Sequence, residues 1–445
     1  MKKVITYGTY DFLHYGHVKL LERAKALGDY LIVGVTSEDF DRKRGKINVR
    51  QSLAERINNV RRTGLADEII VEEYIGQKID DIKRYGIDTF VLGSDWEGKF
   101  DYLKEYCNVV YLPRTEGISS TQIRCEQHEI KMGVVGDDID FLNKYCLEDN
   151  YVNGIKIIGI CTNAPKNVLK EKSPVKELEI TTDNLDDLLS KVDAVYINSP
   201  IDKHYDEIMM SLKAGKHVLC ESPICNNKKK CKELFALAKK KKLVLMDANR
   251  TSYAMAYSRL LLLIKGGEIG NVLSVEASIT NMSNYIKTKK AQSFNNLGAQ
   301  ALIPILDILG CNFNKYHFYT KMTTDNNDLF TRLDLVYDNA IATLKVAEGA
   351  KSEGELIVTG TNGYLIVPSP WWKPDYFEIR YENMNNNKRY FYQLNGEGIR
   401  NQLLSFINAI NGNKNSMNIQ EKTSITICDF MDKFQNNKNW LECLL

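Results

Sequence analysis

Short apolar segments alternate with helical stretches in two successive series, and this pattern limits what the 445-residue chain can fold into. The first series begins with the apolar run at residues 3–7, and the second begins at residues 130–136. Strands that are apolar on both faces, each followed by a helix, are typical of parallel sheets covered by helices. After about residue 271 the strands become longer and alternate with period 2, which indicates an antiparallel sheet in an α+β arrangement.

We therefore predict an α/β protein: a Rossmann-like parallel sheet, then a second Rossmann domain with an α+β antiparallel-sheet subdomain. The boundaries are expected at residues 1–128, 129–270 and 271–445. No Gly/Ser/Pro-rich linker separates the two series, so the junction between them is expected to be short.

Charge and hydropathy exclude several classes of protein. The 59 Lys and Arg nearly balance the 57 Asp and Glu, giving a net charge of +2 and no electrostatic reason to expect nucleic acid or a membrane surface as a partner. The longest apolar run, at residues 260–264, is far shorter than the roughly 20 residues that span a bilayer. The N-terminus lacks the long apolar region of a signal peptide. We expect a cytoplasmic protein without a membrane span.

The ten cysteines include no C-x-x-C pair. Cys220, Cys225 and Cys231 are close in sequence, but neither their spacing nor nearby histidines match a zinc site. We interpret the cysteines as reduced thiols that pack as small apolar side chains, and we predict no metal ligand.

The segment between the first strand and the first helix contains His14-Tyr15-Gly16-His17. Open α/β sheets bind ligands at the carboxyl ends of their strands, and helix N-termini favour anions. Two histidines three residues apart at a helix start can both reach a phosphate, and Gly16 allows a close backbone approach. The alternative is two histidines that only cap or pack a helix end.

A second candidate phosphate site follows the last strand of the first series. Its residues are Arg114, Thr115, Glu116, Gly117, Ile118, Ser119, Ser120 and Thr121. A cation, a glycine and a run of hydroxyls at a helix start can hold a polyphosphate. The alternative is an ordinary helix cap with a solvated arginine.

These residues resemble the nucleotidyltransferase superfamily, and within it the glycerol-3-phosphate cytidylyltransferases, over nearly all of residues 1–124. The stretches at 95–101 and 114–121 are specific to this branch. The resemblance implies in-line attack of a glycerol 3-phosphate oxygen on the α-phosphorus of CTP, with Mg²⁺ accompanying the CTP and pyrophosphate leaving. It further implies a homodimer and a CDP-alditol product used for cell-wall (teichoic acid) or capsular polymers.

The same resemblance assigns roles to individual residues. It implies catalytic roles for His14, His17, Lys46 and Arg114. It implies a CTP site made by Thr9, Tyr10, His14, Tyr15, Gly16, His17, Lys46, Arg56, Arg114, Thr115, Glu116, Gly117, Ile118, Ser119, Ser120 and Thr121. Arg44 and Lys78 match positions that bind the acceptor phosphate, although Arg44 stands where lysine is usual. Ile75 replaces an aromatic residue of close relatives, so another short polyol phosphate is an alternative acceptor.

Residues 130–445 resemble the Gfo/Idh/MocA oxidoreductases, through the stretches at 193–200, 212–223 and 360–363 and through His204. The dinucleotide fingerprint G-x-G-x-x-G appears as Gly136 to Phe141, with Asp138 and Phe141 in place of glycines. Residues 161–163, Cys-Thr-Asn, lack the acid expected to bind the ribose. The family's catalytic lysine and histidine positions carry Ser222 and Gln300, so the usual proton-transfer groups are missing.

We therefore predict that the second region keeps the fold without NAD(P)-dependent catalysis, has no cofactor-binding residues, and serves dimerisation, substrate presentation or docking. One alternative is a bifunctional enzyme whose second domain oxidises or reduces the alditol phosphate or its precursor. Another is a non-enzymatic scaffold or sensor that binds CTP. The pair Trp371-Trp372 is either a carbohydrate platform or ordinary packing of aromatic residues.

Overall fold

The computed structural model divides the chain into two compact units. The first comprises Met1–Glu129 and Asn150–Gly154, and the second comprises Ile130–Asp149 and Ile155–Leu445. The structure describes residues 1–13, 15–43, 49, 51–113, 129–164, 178–282, 291–325, 327–412, 418–436 and 441–442. The division into three domains at residues 128 and 270 stays a prediction.

The first unit is a five-stranded parallel sheet with helices on both faces. Its elements are β1 (Lys3–Gly8), α1 (Tyr15–Lys25), β2 (Tyr30–Thr36), α2 (Glu38–Lys43), α3 (Leu53–Arg62), β3 (Glu68–Glu72), α4 (Gln77–Tyr85), β4 (Thr89–Gly93) and β5 (Asn108–Leu112). The strand order is β3-β2-β1-β4-β5, and every neighbouring pair is parallel. One buried cluster includes Val4 and Leu31, and the other includes Ile5 and Ile32, because successive strand residues point to opposite faces.

The order of the strands determines where this unit can bind a ligand. The chain moves outward from β1 through β2 to β3, and then crosses back to place β4 on the other side of β1. The connections after β1 and β4 therefore diverge and leave a crevice at the carboxyl end of the sheet. The segment with the two histidines follows β1 directly, so it begins at this crevice.

Helix α3, which carries one of the expected site residues, has a well-formed start. The Ser52 hydroxyl accepts a hydrogen bond from the Glu55 amide at 3.3 Å, and the Glu55 carboxylate accepts one from the Ser52 amide at 2.8 Å. This reciprocal capping box satisfies two amides that the helix itself leaves without partners. It fixes the residue at which α3 begins.

The second unit begins with a six-stranded parallel sheet. Its elements are β6 (Ile130–Val135), α5 (Ile139–Glu148), β7 (Ile155–Cys161), β8 (Ile180–Thr182), α6 (Leu185–Leu189), β9 (Ala194–Ile197), α7 (Ile201–Lys213), β10 (His217–Cys220), α8 (Lys228–Lys241), β11 (Leu245–Asp247) and α9 (Met255–Lys265). The order is β11-β10-β9-β6-β7-β8, which again reverses beside the first strand of the series. This is the doubly wound arrangement of Rossmann domains.

A nine-stranded sheet completes the second unit. Its elements are β12 (Val272–Asn281), α10 (Ser293–Leu309), β13 (Lys315–Met322), β14 (Asp328–Val336), β15 (Ile341–Glu348), β16 (Leu356–Gly360), β17 (Tyr364–Val367), β18 (Tyr376–Arg380), β19 (Lys388–Phe391), α11 (Ile399–Ile410), α12 (Glu421–Asn436) and β20 (Leu441–Glu442). The order is β19-β18-β17-β16-β12-β15-β14-β13-β20.

The expectation of an antiparallel sheet here is wrong in part, because the sheet is mixed. β12 pairs in parallel with β15, and β13 pairs in parallel with β20, whereas the other neighbouring pairs are antiparallel. The chain passes from β12 to β13 through the helix α10, and a helical crossover returns the chain in the same direction. The hairpins β13–β14 and β14–β15 then place β15 parallel to β12.

The α/β fold class with two Rossmann-like sheets is confirmed. Helix α10 covers one face of the mixed sheet, where the Phe294 ring lies 5.1 Å from Phe318 and 4.5 Å from Phe434 between ring centroids. Trp371 is 1% exposed and donates its indole N–H to the carbonyl of Ser278 at 2.9 Å, as a packing residue would. In the described ranges, none of the helices combines the length and apolar character needed to cross a bilayer.

The carboxylate of Asp247, at the end of β11, connects three segments of the second unit. It accepts hydrogen bonds from the hydroxyl of Ser222, at 3.3 Å, and from the hydroxyl of Ser424 on α12, at 3.2 Å. Asp247 is 1% exposed, and burial raises its pKa from 3.8 to about 7. The folded state therefore holds a proton on this group at pH values where the unfolded chain has released it.

This raised pKa makes the stability of the second unit depend on pH in a predictable way. Between about pH 4 and pH 7 the contribution of Asp247 to stability falls as the pH rises, because the unfolded state binds fewer protons than the folded state. Asp247→Asn should make the fall in stability between pH 4 and pH 7 shallower, measured by thermal unfolding. The exposed control Asp375→Asn should keep the wild-type slope. An unchanged slope in Asp247→Asn would contradict this assignment.

Candidate active site

The turn after β1 is sharply bent. Tyr10 and Phe12 have φ angles of 53° and 46°, in the left-handed region that non-glycine residues rarely adopt. These two bends take the chain from the end of β1 to the start of α1 at Tyr15. His17 consequently lies in the first turn of α1, at a helix N-terminus, as the sequence predicts.

The core of the unit supports His17. The imidazole packs edge-on against the ring of Tyr10, with 5.4 Å between ring centroids and 70° between ring planes. Tyr10 is 1% exposed and belongs to the apolar cluster under α1, and burial raises the pKa of its phenol. The Tyr10 side chain is therefore a packing residue, so a contact between Tyr10 and CTP would have to come from its backbone.

A buried ion pair joins the carboxyl ends of β1 and β2. Arg56 on α3 is fully buried, and its Nη1 donates to the carbonyls of Thr9 and Thr36, both at 2.8 Å. Its Nε donates to the carbonyl of Gln51 at 3.1 Å. The same Nη1 lies 3.5 Å from a carboxylate oxygen of Asp41, which is also fully buried. Arg56 thus positions the strand ends from which the loop with the two histidines begins.

Asp41 on α2 completes this connection. One of its carboxylate oxygens accepts a hydrogen bond from the Thr9 hydroxyl at 3.1 Å, and the other accepts one from the Thr36 hydroxyl at 2.7 Å. Both partners of the ion pair therefore contact the same two threonines, Arg56 through the main chain and Asp41 through the side chains. A buried charge needs this degree of hydrogen bonding to be tolerated.

Gln51, just before α3, holds the bent turn from the other side. Its side-chain carbonyl accepts a hydrogen bond from the main-chain amide of Phe12 at 2.7 Å, and its main-chain amide donates to the Asp11 carboxylate at 3.0 Å. This reciprocal pair fixes the direction in which the chain enters α1.

Lys78, an expected acceptor-binding residue, is 8% exposed in the first turn of α4. Its ammonium forms an ion pair with Glu72 at the end of β3, and lies 4.6 Å from the centroid of the Tyr7 ring. The Tyr7 hydroxyl in turn donates to Asp81 at 2.8 Å. Lys78 therefore has a carboxylate partner already, which an acceptor phosphate would have to share.

The structure brings together some of the predicted site residues and does not describe others. Thr9, Tyr10, His17 and Arg56 surround the end of β1, while Tyr15, 48% exposed, begins α1 beside them. His14, Arg44, Lys46 and residues 114–121 lie outside the described residues. Asp41, Gln51, Glu72 and Asp81 were not predicted, because nothing in their local sequence separates them from ordinary surface polar residues.

In the second unit, the turn after β6 places two carboxylates at a helix start. Asp138 caps α5 by accepting a hydrogen bond from the Phe141 amide at 3.1 Å. Asp137 accepts hydrogen bonds from the Thr162 hydroxyl at 3.0 Å and from the Asn163 amide at 2.7 Å, and these lower its pKa. A Rossmann cofactor places its pyrophosphate at this helix start, where these carboxylates would repel it.

Aromatic side chains fill the space beside this turn. The Phe141 ring lies 5.6 Å from Tyr145, and the Tyr145 ring stacks on Tyr196 at 4.1 Å between centroids. The guanidinium of Arg250 lies 4.7 Å above the Phe141 ring and also pairs with Glu397 at 3.0 Å. The Glu397 carboxylate also forms ion pairs with Lys144 and Lys373, at 3.3 and 3.0 Å, so three cationic side chains already share it.

Ser222 and Gln300 occupy the positions where the family has its proton-transfer groups, and both side chains form hydrogen bonds within the unit. The Ser222 hydroxyl donates to Asp247, as described above. The side-chain nitrogen of Gln300 donates to the Thr251 hydroxyl at 2.6 Å, and its oxygen accepts from Asn249 at 2.8 Å. Neither side chain is an acid or a base that could exchange a proton with a substrate near neutral pH.

Comparison with known proteins identifies the family of the first unit. The model of a family described as cytidylyltransferase-like matches residues 5–126. A glycerol-3-phosphate cytidylyltransferase of Bacillus spizizenii is 57% identical over 124 residues, which cover 28% of this chain and 95% of the relative. The protein is thus a nucleotidyltransferase. Through its first unit the chain belongs to the glycerol-3-phosphate cytidylyltransferase family.

The second unit is a Gfo/Idh/MocA oxidoreductase domain. The model of an oxidoreductase family with an NAD-binding Rossmann fold matches residues 131–248. A scyllo-inositol 2-dehydrogenase (NADP(+)) of Bacillus subtilis is 25% identical over 208 residues, which cover 43% of this chain and 61% of the relative. The fold also matches a 3-ketoreductase of Actinomadura kijaniata solved with NADP and TDP-benzene, with a TM-score of 0.60 and 18% identity, over 68% of this chain and 96% of that one.

These matches bear on the expectation that the protein takes no NAD(P). The family whose model matches the second unit is described by NAD binding, so this match runs against that expectation and does not support it.

The ion pair of Arg56 and Asp41 generates a stability prediction. Arg56→Met should destabilise the first unit by about 3–5 kcal/mol, because it leaves the Asp41 carboxylate buried without its cation. Hydrogen–deuterium exchange of the full chain should show faster exchange in β1 and β2. Arg61→Met removes only an exposed arginine of the same helix and should change little. Unaltered protection of β1 and β2 in Arg56→Met would be incompatible with the proposed positioning role.

Proposed function

We propose that the first unit transfers CMP from CTP to glycerol 3-phosphate, forming CDP-glycerol and pyrophosphate. The observation that carries this proposal is the position of His17 in the first turn of α1, at the point where the strand order reverses. The 57% identity to a glycerol-3-phosphate cytidylyltransferase, over almost the whole of that relative, supports the same reaction.

In this mechanism an oxygen of the acceptor phosphate attacks the α-phosphorus of CTP, while the bond to the β-phosphate breaks and pyrophosphate leaves in line. The protein needs no covalent nucleophile, because orientation and stabilisation of charge are sufficient. His14 and His17 donate hydrogen bonds to the transferring phosphate, and Lys46 and Arg114 neutralise the triphosphate. Mg²⁺ enters as part of the CTP substrate complex, as is usual for this ion with nucleotides.

The remaining expected residues complete the CTP site under this proposal. Thr9 and Tyr10 in the turn and Tyr15 and Gly16 at the start of α1 contact the nucleotide, and residues 114–121 hold the triphosphate. Arg56 acts through the main-chain carbonyls of the strand ends and keeps the turn in place. It is a positioning residue in this scheme.

We assign the binding of the acceptor phosphate to Lys78 and Arg44. Lys78 is buried against Tyr7 and Glu72, so its ammonium is desolvated and would interact strongly with an entering phosphate. Ile75, where close relatives have an aromatic residue, is 82% exposed. A different short polyol phosphate is the alternative acceptor, because this difference changes the side chain near the polyol.

We propose that the second unit keeps its fold without NAD(P)-dependent catalysis. The carboxylates of Asp137 and Asp138 at the start of α5 support this, as does the internal bonding of Ser222 and Gln300. The unit would then serve dimerisation, substrate presentation or docking. A homodimer, a cytoplasmic location and a product used for cell-wall or capsular polymers belong to the same proposal.

The second candidate is a bifunctional enzyme in which the second unit oxidises or reduces the alditol phosphate or its precursor. The match to an NAD-binding family and the fold of an NADP-bound reductase favour it. In NAD-binding domains, an acid after the second strand binds the free 2′-hydroxyl of the ribose. Its absence after β7 is compatible with a domain that binds NADP, which has a 2′-phosphate, and equally compatible with a domain that binds no cofactor.

The transferase reaction has a direct test. The full-length protein with CTP, Mg²⁺ and glycerol 3-phosphate should release pyrophosphate, and His17→Ala should lower kcat about 100- to 1000-fold by removing a donor to the transferring phosphate. The control Glu22→Ala changes a partly exposed residue of the same helix that pairs with Lys19, and it should keep wild-type turnover.

The outcomes of this test separate the alternatives. Turnover with another polyol phosphate, but not with glycerol 3-phosphate, would change the acceptor and leave the transferase assignment intact. CTP binding without pyrophosphate release across the panel of acceptors would instead favour a CTP-binding scaffold. Full turnover in His17→Ala would refute the role given to that histidine.

The cofactor question is decided by titrating NADH and NADPH into the full-length protein by calorimetry, with CTP as the positive control. Heat from CTP and none from either dinucleotide is expected, because Asp138 replaces the glycine that lets the backbone approach a pyrophosphate and Phe141 replaces the glycine that allows close helix–strand packing. Repeating the titration at saturating CTP excludes binding of a dinucleotide at the transferase site. Micromolar binding of either dinucleotide that persists at saturating CTP would make the bifunctional enzyme the better interpretation.

A further inference from the structure

Three cysteines from separate parts of the second unit meet in its interior. Cys225 lies in the segment before α8, Cys231 lies in the first turn of α8, and Cys428 lies in the middle of α12. They are 1%, 0% and 0% exposed, and their sulfur atoms all lie within 4.8 Å of one another. The local spacing that argued against a zinc site involved Cys220, Cys225 and Cys231, and it left out Cys428 because Cys428 is far away in the sequence.

The separation of the sulfur atoms fits thiolates around one metal ion. With metal–sulfur bonds of about 2.3 Å, two thiolates of a tetrahedral site stand about 3.8 Å apart. The observed limit of 4.8 Å is within reach of that distance through small side-chain adjustments. A disulfide requires about 2.05 Å between two sulfur atoms, and it would leave the third thiol without a role.

The structure assigns a further site to this cluster: we propose that Cys225, Cys231 and Cys428 bind one soft, thiophilic metal ion, Zn²⁺ or Cu⁺. Binding replaces the three thiol protons with the metal, so three protons are released and three sulfur–metal bonds form. Soft thiolates select these two ions over Mg²⁺ or Ca²⁺, which prefer oxygen. His204 is not a fourth ligand, since its ring nitrogens already contact the carbonyls of Pro223 and Ser199 at 3.0 and 2.8 Å.

The site would be structural, because it joins two segments of the unit that lie far apart in the sequence. Helices α8 and α12 already pack together through Lys228 and Asp429, at 2.9 Å, and through Lys239 and Glu421, at 2.6 Å. A metal would attach α12 and the segment before α8 to the same point. Since the three sulfur atoms are sealed from solvent, the ion would enter while the chain folds, as in other sites whose binding is coupled to folding.

The test is elemental analysis of the full-length protein after expression with zinc or copper in the medium and prolonged dialysis against a chelator. We expect one equivalent of zinc or copper in the wild-type protein and in Cys146→Ser, which alters a buried cysteine outside the cluster. Cys428→Ser should retain less than a tenth of an equivalent. The identity of the retained element decides between Zn²⁺ and Cu⁺.

A second measurement keeps the proposal testable if Cys428→Ser does not fold. Wild-type protein unfolded and refolded with Co²⁺ or Cd²⁺ should show the near-ultraviolet absorption of sulfur-to-metal charge transfer, and Cys225→Ser, which changes a segment before α8, should lose it. Metal-free wild-type protein that refolds with the same Tm and binds no added ion would overturn the proposal. Full metal content in Cys428→Ser would overturn it equally, because the ion would then lie elsewhere.

Discussion

The candidate active site depends on the buried pair of Arg56 and Asp41. This pair holds the ends of β1 and β2 together through the main chain and side chains of Thr9 and Thr36. The turn that leads to His17 starts at Thr9, so its geometry follows from where those strand ends are fixed. Placing two charges in a dry interior is costly, and their hydrogen bonds offset much of that cost. In return, the bent turn after β1 starts from a fixed position.

The two units use one local design, a strand followed by a turn and a helix, with opposite electrostatic outcomes. In the first unit the helix start carries His17, which suits an anionic nucleotide. In the second unit Asp138 caps the helix itself, and Asp137 binds the amide of Asn163. A fold can therefore be kept while the charge at its usual ligand position is reversed, and this is why family membership alone does not determine what the second unit does.

Much of this could be predicted from the sequence. The apolar strands, their parallel pairing and the helix start near His17 depend on local periodicity, and the structure has them where the pattern places them. The mixed character of the large sheet was missed, because the crossover through α10 is a matter of topology. Asp41 and Gln51 were missed for a related reason: each contacts residues more than thirty positions away. Residues 114–121 remain a sequence-based expectation.

The sequence by itself determined that this chain contains a cytidylyltransferase-like domain and an oxidoreductase-like domain, because turn residues, glycines and charges next to strands carry their chemistry locally. Only the tertiary structure decided which distant side chains meet. It made Arg56 a buried positioning residue, paired Lys78 with Glu72, and brought Cys428 to Cys225 and Cys231. The physical reason is that burial and the approach of charges or thiols depend on how helices pack on sheets, which no local pattern of residues encodes.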